Sequence, residues 1–176
     1  MRITIIHIVH IKQEMIFLHM KTGVEQSVYA ILLLTFLPEK AVLPGDVISS
    51  QLGGSPTYFQ KLLRKLVSAD LLASVPGSKG GFRLKKTPEE IRIYDVYVAI
   101  EGKQSLYSSS GIFHDMLNLK DKDICLLSNL MEEAESSWQS ILKRQTIATL
   151  TNEINKKCPK ENLDMLKTTV EEKMVL

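Results

Sequence analysis

The chain has 176 residues, of which 44% are hydrophobic and 24% charged, and 22 Lys and Arg against 20 Asp and Glu leave a net charge of +2. That is enough chain for one domain with a real core, or a small domain plus a long accessory helix. Two cysteines, Cys125 and Cys158, exclude a disulfide framework and fit reduced thiols in a cytoplasmic protein.

The first nineteen residues, MRITIIHIVHIKQEMIFLH, are apolar but interrupted by His7, His10, Lys12, Gln13 and Glu14. No 18-residue apolar run exists, so no membrane span is expected, and no small-residue cleavage site follows. Residues 1–19 therefore read as an appendage or a misplaced start ahead of Met20, or else as an extra strand or helix packed on the body. His7 and His10 have no further ligand at a useful spacing and make no metal site.

Residues 23–37, GVEQSVYAILLLTFL, are apolar almost all round and stop at Pro38, which predicts a buried helix. Next, LPGDVISSQLGG puts Pro44 at an early helical position, turns Val47, Ile48 and Leu52 inward, and ends on Gly53 and Gly54. Ser55 is a good N-cap and Pro56 suits the first helical position, so a second helix starts at once. Two helices joined by so short a turn suggest a helix-turn-helix.

In the second helix Phe59, Leu62, Leu63 and Leu66 form one stripe, and Thr57, Gln60, Lys61, Arg64 and Ser68 form the opposite one. Hydroxyls, an amide and cations are the groups that meet phosphate oxygens and base edges. From Ser55 to Lys86 the chain carries seven Lys or Arg and one acid, Asp70. LLASV and FRLKK then read as a hairpin around the basic, glycine-rich tip PGSKGG, with Lys79, Gly80, Gly81 and Arg83 placed to approach phosphates or a minor groove. A phosphate-cradling nucleotide loop is the alternative for these glycines, but no G-x-x-x-x-G-K-[ST] pattern is present and no helix follows. A helix-turn-helix followed by a hairpin is a winged helix, a mainly α fold with a β wing, here with a long C-terminal helix behind it. The positive charge is local, since residues 121–176 carry a net −2, as expected when one face alone meets a polyanion.

TPEEIRIYDVYVAIEG adds a turn and a short helix carrying Val96, Val98 and Ile100, and residues 103–122 look irregular, with SLYSSSG as a flexible loop. From Asp123 to Glu153 there is neither Gly nor Pro, and Ile124, Leu127, Met131, Ala134, Trp138, Ile141, Gln145 and Ala148 recur at alternating steps of three and four. That spacing predicts one long helix with a narrow seam, suited to a second copy of the chain or to packing back on its own domain. Residues past Pro159 read as a short helix or a frayed tail.

YAILLL, SPTYFQKLLRKLVSADLLASV, GSKGGFRL and PEEIRIYDVYVAIEG together resemble the Rrf-two family of bacterial winged-helix regulators, over residues 20–102, with the 123–153 helix in the place of that family's dimerisation helix. The resemblance implies a homodimeric repressor acting on double-stranded DNA at a pseudo-palindromic operator, with helix 55–70 in the major groove and wing 72–86 on the minor groove or backbone. It implies that Ser55, Thr57, Tyr58, Lys61, Arg64 and Lys65 hold phosphates or reach bases, with Gln60 as the direct base reader. Pro76 stands where relatives often carry an Arg, a position that Lys79 fills in part.

Cluster-binding relatives carry three cysteines and a histidine in the segment matching 103–128. This chain has Cys125 alone at such a position and Ser128 at the histidine position, with His114 elsewhere in the loop. No cofactor and no metal are therefore expected. Cys125 reads as a small packed residue or as a redox thiol near a helix start. No nucleophile–base pair suggests an enzyme. The competing readings are a protein-interaction module on the dimer helix and a cluster or thiol sensor. A small-molecule or protein effector fits the first reading.

Overall fold

A computed structural model of the protein describes residues 21–117 and 126–176. The expectations for residues 1–19 and for Cys125 and Ile124 fall outside the described residues. The described chain divides into two units, Thr22–Gly102 with Ile141–Leu176, and Lys103–Ser140.

In the first unit, α1 (Thr22–Leu34) buries residues on nearly every side, Val24, Ile31 and Leu34 among them, as its apolar sequence requires. It ends before Pro38, with Thr35 Oγ1 donating to the Leu32 carbonyl at 2.7 Å. Next comes α2 (Gly45–Gln51), with Pro44 at its N-cap rather than inside its first turn. Gly53, at φ 65°, closes it: the Gly54 N–H donates to Ser49 O at 3.0 Å and the Gly53 N–H to Ser50 O at 3.3 Å.

The recognition-type helix α3 (Pro56–Ser68) follows at once. Ser55 caps it by accepting from the Tyr58 N–H at 3.2 Å. It ends in the same motif as α2, with Asp70 in the left-handed region at φ 59° and the Leu71 N–H donating to Leu66 O at 3.0 Å. Aspartate tolerates that conformation better than most residues.

The wing is β1 (Leu72–Val75) paired antiparallel with β2 (Gly81–Leu84), Leu72 opposite Leu84 and Val75 opposite Gly81. Leu43 exchanges backbone bonds with Phe82 on the outer edge of β2, and Val42 exchanges two bonds of 2.9 Å with Val175. After the wing, α4 (Ile93–Glu101) turns Ile93, Val96 and Ile100 inward; Val98, expected among its apolar residues, is half-buried.

The C-terminal region departs from the expected single helix over 123–153. One helix, α6 (Leu126–Arg144), stops at Gln145, and a second, α7 (Ile147–Lys157), begins after Thr146. Neither Gly nor Pro causes the break. Thr146 and Thr149 cap each other reciprocally, hydroxyl to backbone N–H, at 3.2 and 2.9 Å. The backbone around the break bonds outside its own helix. Gln145 O accepts from the Ile93 N–H, while the Ile147 and Ala148 N–H groups donate to Ile91 O and Pro88 O. These bonds replace the intrahelical ones the break removes.

Past Pro159 the chain takes the helical of the two expected alternatives. It forms α8 (Lys160–Lys173), and Val170 and Ile147 are both fully buried in the core of the winged-helix unit. Residues 141–176 thus complete that unit rather than standing apart from it.

In the second unit the stretch expected to be irregular contains a short helix, α5 (Ile112–Leu117), and residues 105–106 are tied to Glu135 of α6.

Candidate nucleic-acid interface

The two stripes expected on α3 are present. Phe59, Leu62, Leu63 and Leu66 are buried in the core, and Thr57, Lys61, Arg64 and Ser68 are exposed. Lys61 and Arg64 make no hydrogen bond or ion pair among the described residues, and the same is true of Lys79 at the exposed wing tip and of Lys86 beyond β2. Asp70, the single acid of the segment, is ion-paired with Lys85 at 2.7 Å. The Lys85 hydrogen bond, then its charge, hold the Asp70 carboxyl below its ordinary value. The one acid here is paired, and four cations remain available to a polyanion.

Several of the expected contact residues also make contacts within the fold. The Lys65 ammonium donates to the Ile100 carbonyl at 2.6 Å and so caps the C-terminus of α4. Gln60 is half-buried, and a Cβ built on Gly45 would lie 2.5 Å from its Nε2 and 3.2 Å from the Phe82 ring. Its amide therefore sits against the start of α2. Tyr58 stacks edge-on against Phe59, with ring centroids 5.9 Å apart, and its hydroxyl lies 2.9 Å from where a Cβ on Gly23 would stand.

The wing glycines serve sterics. A Cβ on Gly80 would come 2.1 Å from Val75 O, and one on Gly81 would come 2.6 Å from Leu43 O. Arg83 is half-buried, with Nη1 donating to Glu39 O at 3.4 Å and Nε buried without a partner. Ser55 is exposed, its hydroxyl taken by the helix cap. Sequence reasoning missed Lys86 and the Lys65 cap. The charge run marks both lysines as basic, but only the packing of α4 beside α3 separates a capping lysine from a free one.

Of the five seam residues, Leu127, Ala134 and Ile141 are exposed, whereas Met131 and Trp138 are half-buried. Leu130, absent from the expected seam, is 61% exposed. Leu127, Leu130, Ala134 and Ile141 fall at steps of three, four and seven, which places them in one row along α6.

No three His, Cys, Asp or Glu side chains converge on a metal-binding arrangement among the described residues. Cys158 is exposed at the end of α7. No described helix is long and apolar enough to cross a membrane.

A sequence model of the Rrf2 family, described as an iron-dependent transcriptional regulator, matches residues 20–153. An iron–sulfur cluster needs four protein ligands, and the chain holds two cysteines in all, Cys125 and Cys158. The chain is 37% identical over 145 residues to YwgB, a candidate HTH-type transcriptional regulator of Bacillus subtilis, covering 82% of this chain and 92% of that one. It is 29% identical over 140 residues to the HTH-type transcriptional regulator IscR of Aliivibrio salmonicida, covering 78% and 81%.

Among solved structures, T. potens IscR superposes with a TM-score of 0.62 at 23% identity over 81% of this chain and 93% of that one. CymR, the global cysteine regulator of B. subtilis, gives 0.62 at 19% identity over 77% and 98%. Both likenesses establish the winged-helix fold. None of these relatives is an enzyme. The chain belongs to the Rrf2 family of transcriptional regulators.

Proposed function

We propose that this protein is a homodimeric, sequence-specific repressor in the cytoplasm that lays α3 in the major groove and the wing against the adjacent minor groove or backbone. The observation that carries the reading is the exposed stripe of Thr57, Lys61 and Arg64 on the second helix of a helix-turn-helix, in a segment (55–86) whose single acid, Asp70, is already paired.

Thr57, Lys61 and Arg64 meet base edges and phosphates; Lys79 and Lys86 meet phosphates from the wing. Gln60 sets the angle between α2 and α3 from its seat against Gly45. The row of Leu127, Leu130, Ala134 and Ile141 supports the dimer, since three of these side chains are about half exposed or more. A two-fold protein reads paired half-sites, so the operator is a pseudo-palindrome.

Fluorescence anisotropy with the DNA upstream of the protein's own gene, and with a scrambled duplex, tests the reading. Four cations per protomer neutralise about eight phosphates in a dimer, so log K should fall with log salt at a slope of roughly −7. The upstream duplex should bind at least about a thousandfold tighter than the scrambled one. Binding indifferent to salt, or equal for both duplexes, overturns it. Gln60→Ala should weaken all sequences alike; relaxed preference at one base pair would return Gln60 to base reading.

A further inference from the structure

Within the second unit, residues 105–109 pass over one face of α6 and leave an open-sided cavity of about 480 Å³. Ser128, Glu132, Glu135, Ser136 and Gln139 line it from α6; 128, 132, 135 and 139 recur at steps of four, three and four along one face of the helix, with Ser136 beside Glu135. Ser105, Tyr107 and Ser109 face them from the strap. Among the described residues Met131 is the one aliphatic side chain of the lining, and no Lys, Arg or His takes part.

The two carboxylates differ in state. Glu135 is committed: Oε2 accepts from Ser105 Oγ at 2.9 Å and from the Leu106 N–H at 3.0 Å, and Oε1 accepts from Gln139 Nε2 at 3.0 Å. The Leu106 N–H, followed by the Ser105 hydroxyl, holds its carboxyl below the usual glutamate value, so it remains charged. It anchors the strap and forms a fixed negative wall. Glu132, less than one turn away, makes no hydrogen bond or ion pair among the described residues, and neither do the Ser128 and Ser136 hydroxyls.

The volume is far beyond the roughly 30 Å³ a water occupies and inside the range of about 300–1,000 Å³ usual for small-molecule sites. Such sites are mostly apolar; this one is not. The described residues of its lining offer acceptors and two carboxylates with no cation among them, a field that repels anions and concentrates cations. We propose that this cavity binds a small organic cation, a protonated amine or a guanidine, whose N–H groups donate to Glu132 and to the hydroxyls of Ser128, Ser136 and the strap. The proposal does not rest on DNA binding.

The test uses the intact protein without DNA. Trp138, the protein's single tryptophan, lies on α6 next to Gln139 and reports locally by fluorescence. The probes are 1,4-diaminobutane, agmatine and ethanolamine, with 1,4-butanediol and succinate as neutral and anionic counterparts. At least one nitrogenous probe should saturate below about 1 mM. Glu132→Gln should weaken it at least tenfold. Glu133→Gln, an equal charge change at a residue outside the lining, should leave it within twofold. Ser136→Ala should cost a smaller, measurable factor.

No saturable change with any of the three cations up to about 10 mM overturns the proposal. Equal loss from Glu132→Gln and Glu133→Gln, or equal binding of diol or succinate, does so as well. Because DNA is absent from the measurement, failure here leaves the regulator reading standing, and failure of the anisotropy test leaves this site standing.

Discussion

Lys65 and Lys61 stand four residues apart on the same helix and are both exposed, yet of the two only Lys65 has a hydrogen-bond partner among the described residues. Lys65→Met removes the ammonium that donates to Ile100 O at 2.6 Å but keeps most of the aliphatic stem. A hydrogen bond to a charged group contributes about 1.5–3 kcal/mol, and a cation at a helix C-terminus adds about 0.3–1 kcal/mol. Exposure to solvent and the entropy of holding a lysine in one rotamer offset much of this. The net expectation is a loss of about 1 kcal/mol, or roughly 2–4 °C in Tm for a chain of this size. Its salt slope on DNA should stay at the wild-type value. Lys61→Met should do the reverse, leaving Tm within a degree and reducing the salt slope by about one unit per protomer. Differential scanning calorimetry and anisotropy titrations at several salt concentrations read both quantities. An unchanged Tm for Lys65→Met together with a reduced slope would show that the lysine releases the α4 carbonyl and serves DNA, and the division of labour drawn here would be wrong.

Gly81→Ala should lower stability by about 2–3 kcal/mol in urea titrations, because its Cβ meets the Leu43 carbonyl where the two backbones are hydrogen-bonded; an unshifted midpoint would contradict this. Leu130→Lys with Ile141→Lys should raise the dimer Kd at least about a hundredfold by sedimentation, since burying each apolar side chain is worth about 1.5 kcal/mol or more. A dimer of unchanged mass at micromolar concentration would place the interface elsewhere. Glu135 has a lowered folded-state pKa, so its contribution is present above the unfolded value and is lost as pH falls through the folded one. The protection factors of the amides at residues 105–107, exchange rates corrected for the pH dependence of intrinsic exchange, should therefore fall on acidification below the usual glutamate range, and Glu135→Gln should remove that dependence; protection factors that stay constant or rise at low pH would refute it. Protein purified without oxygen should be colourless, for a two-iron cluster needs four ligands and residues 103–128 offer one thiol and one imidazole. A brown preparation bleached by Cys125→Ser would overturn that expectation.

The helix-turn-helix and wing were legible because each boundary carries a local signal. Ser55–Pro56 starts a helix, Gly53 permits a left-handed turn, and β-prone runs flank PGSKGG. The C-terminal half was misjudged because heptad spacing continues across Gln145–Thr146 while the backbone does not. The local mark was the Thr146–Thr149 capping pair, weaker in sequence than a Gly or Pro. What makes the break stable is a set of bonds to residues 88–93, far off in sequence. The candidate site was legible as charge but not as role. Lys61 and Lys65 are the same residue type on one helix, and only the neighbouring α4 terminus separates them. Gly80 and Gly81 looked suited to a close approach by DNA, and each also stands too near one of the protein's own carbonyls, Val75 O and Leu43 O, to admit a Cβ, a constraint that only the folded backbone reveals.

The pairing of Val42 with Val175, together with the burial of Ile147 and Val170, bears on how the protein is made. Domains commonly fold as units while the chain is still being synthesised. Here the winged-helix unit is discontinuous, and it lacks the fully buried Ile147 and Val170 and the backbone bridges Val42–Val175 and Arg92–Thr146 until residues 141–176 have left the ribosome. Up to then the helix-turn-helix must wait with an unfilled core and the outer edge of residue 42 unpaired, a state open to chaperones and proteases. Contacts of such long sequence separation also slow folding. A chain broken off before α8 therefore lacks part of the core on which the helix-turn-helix rests.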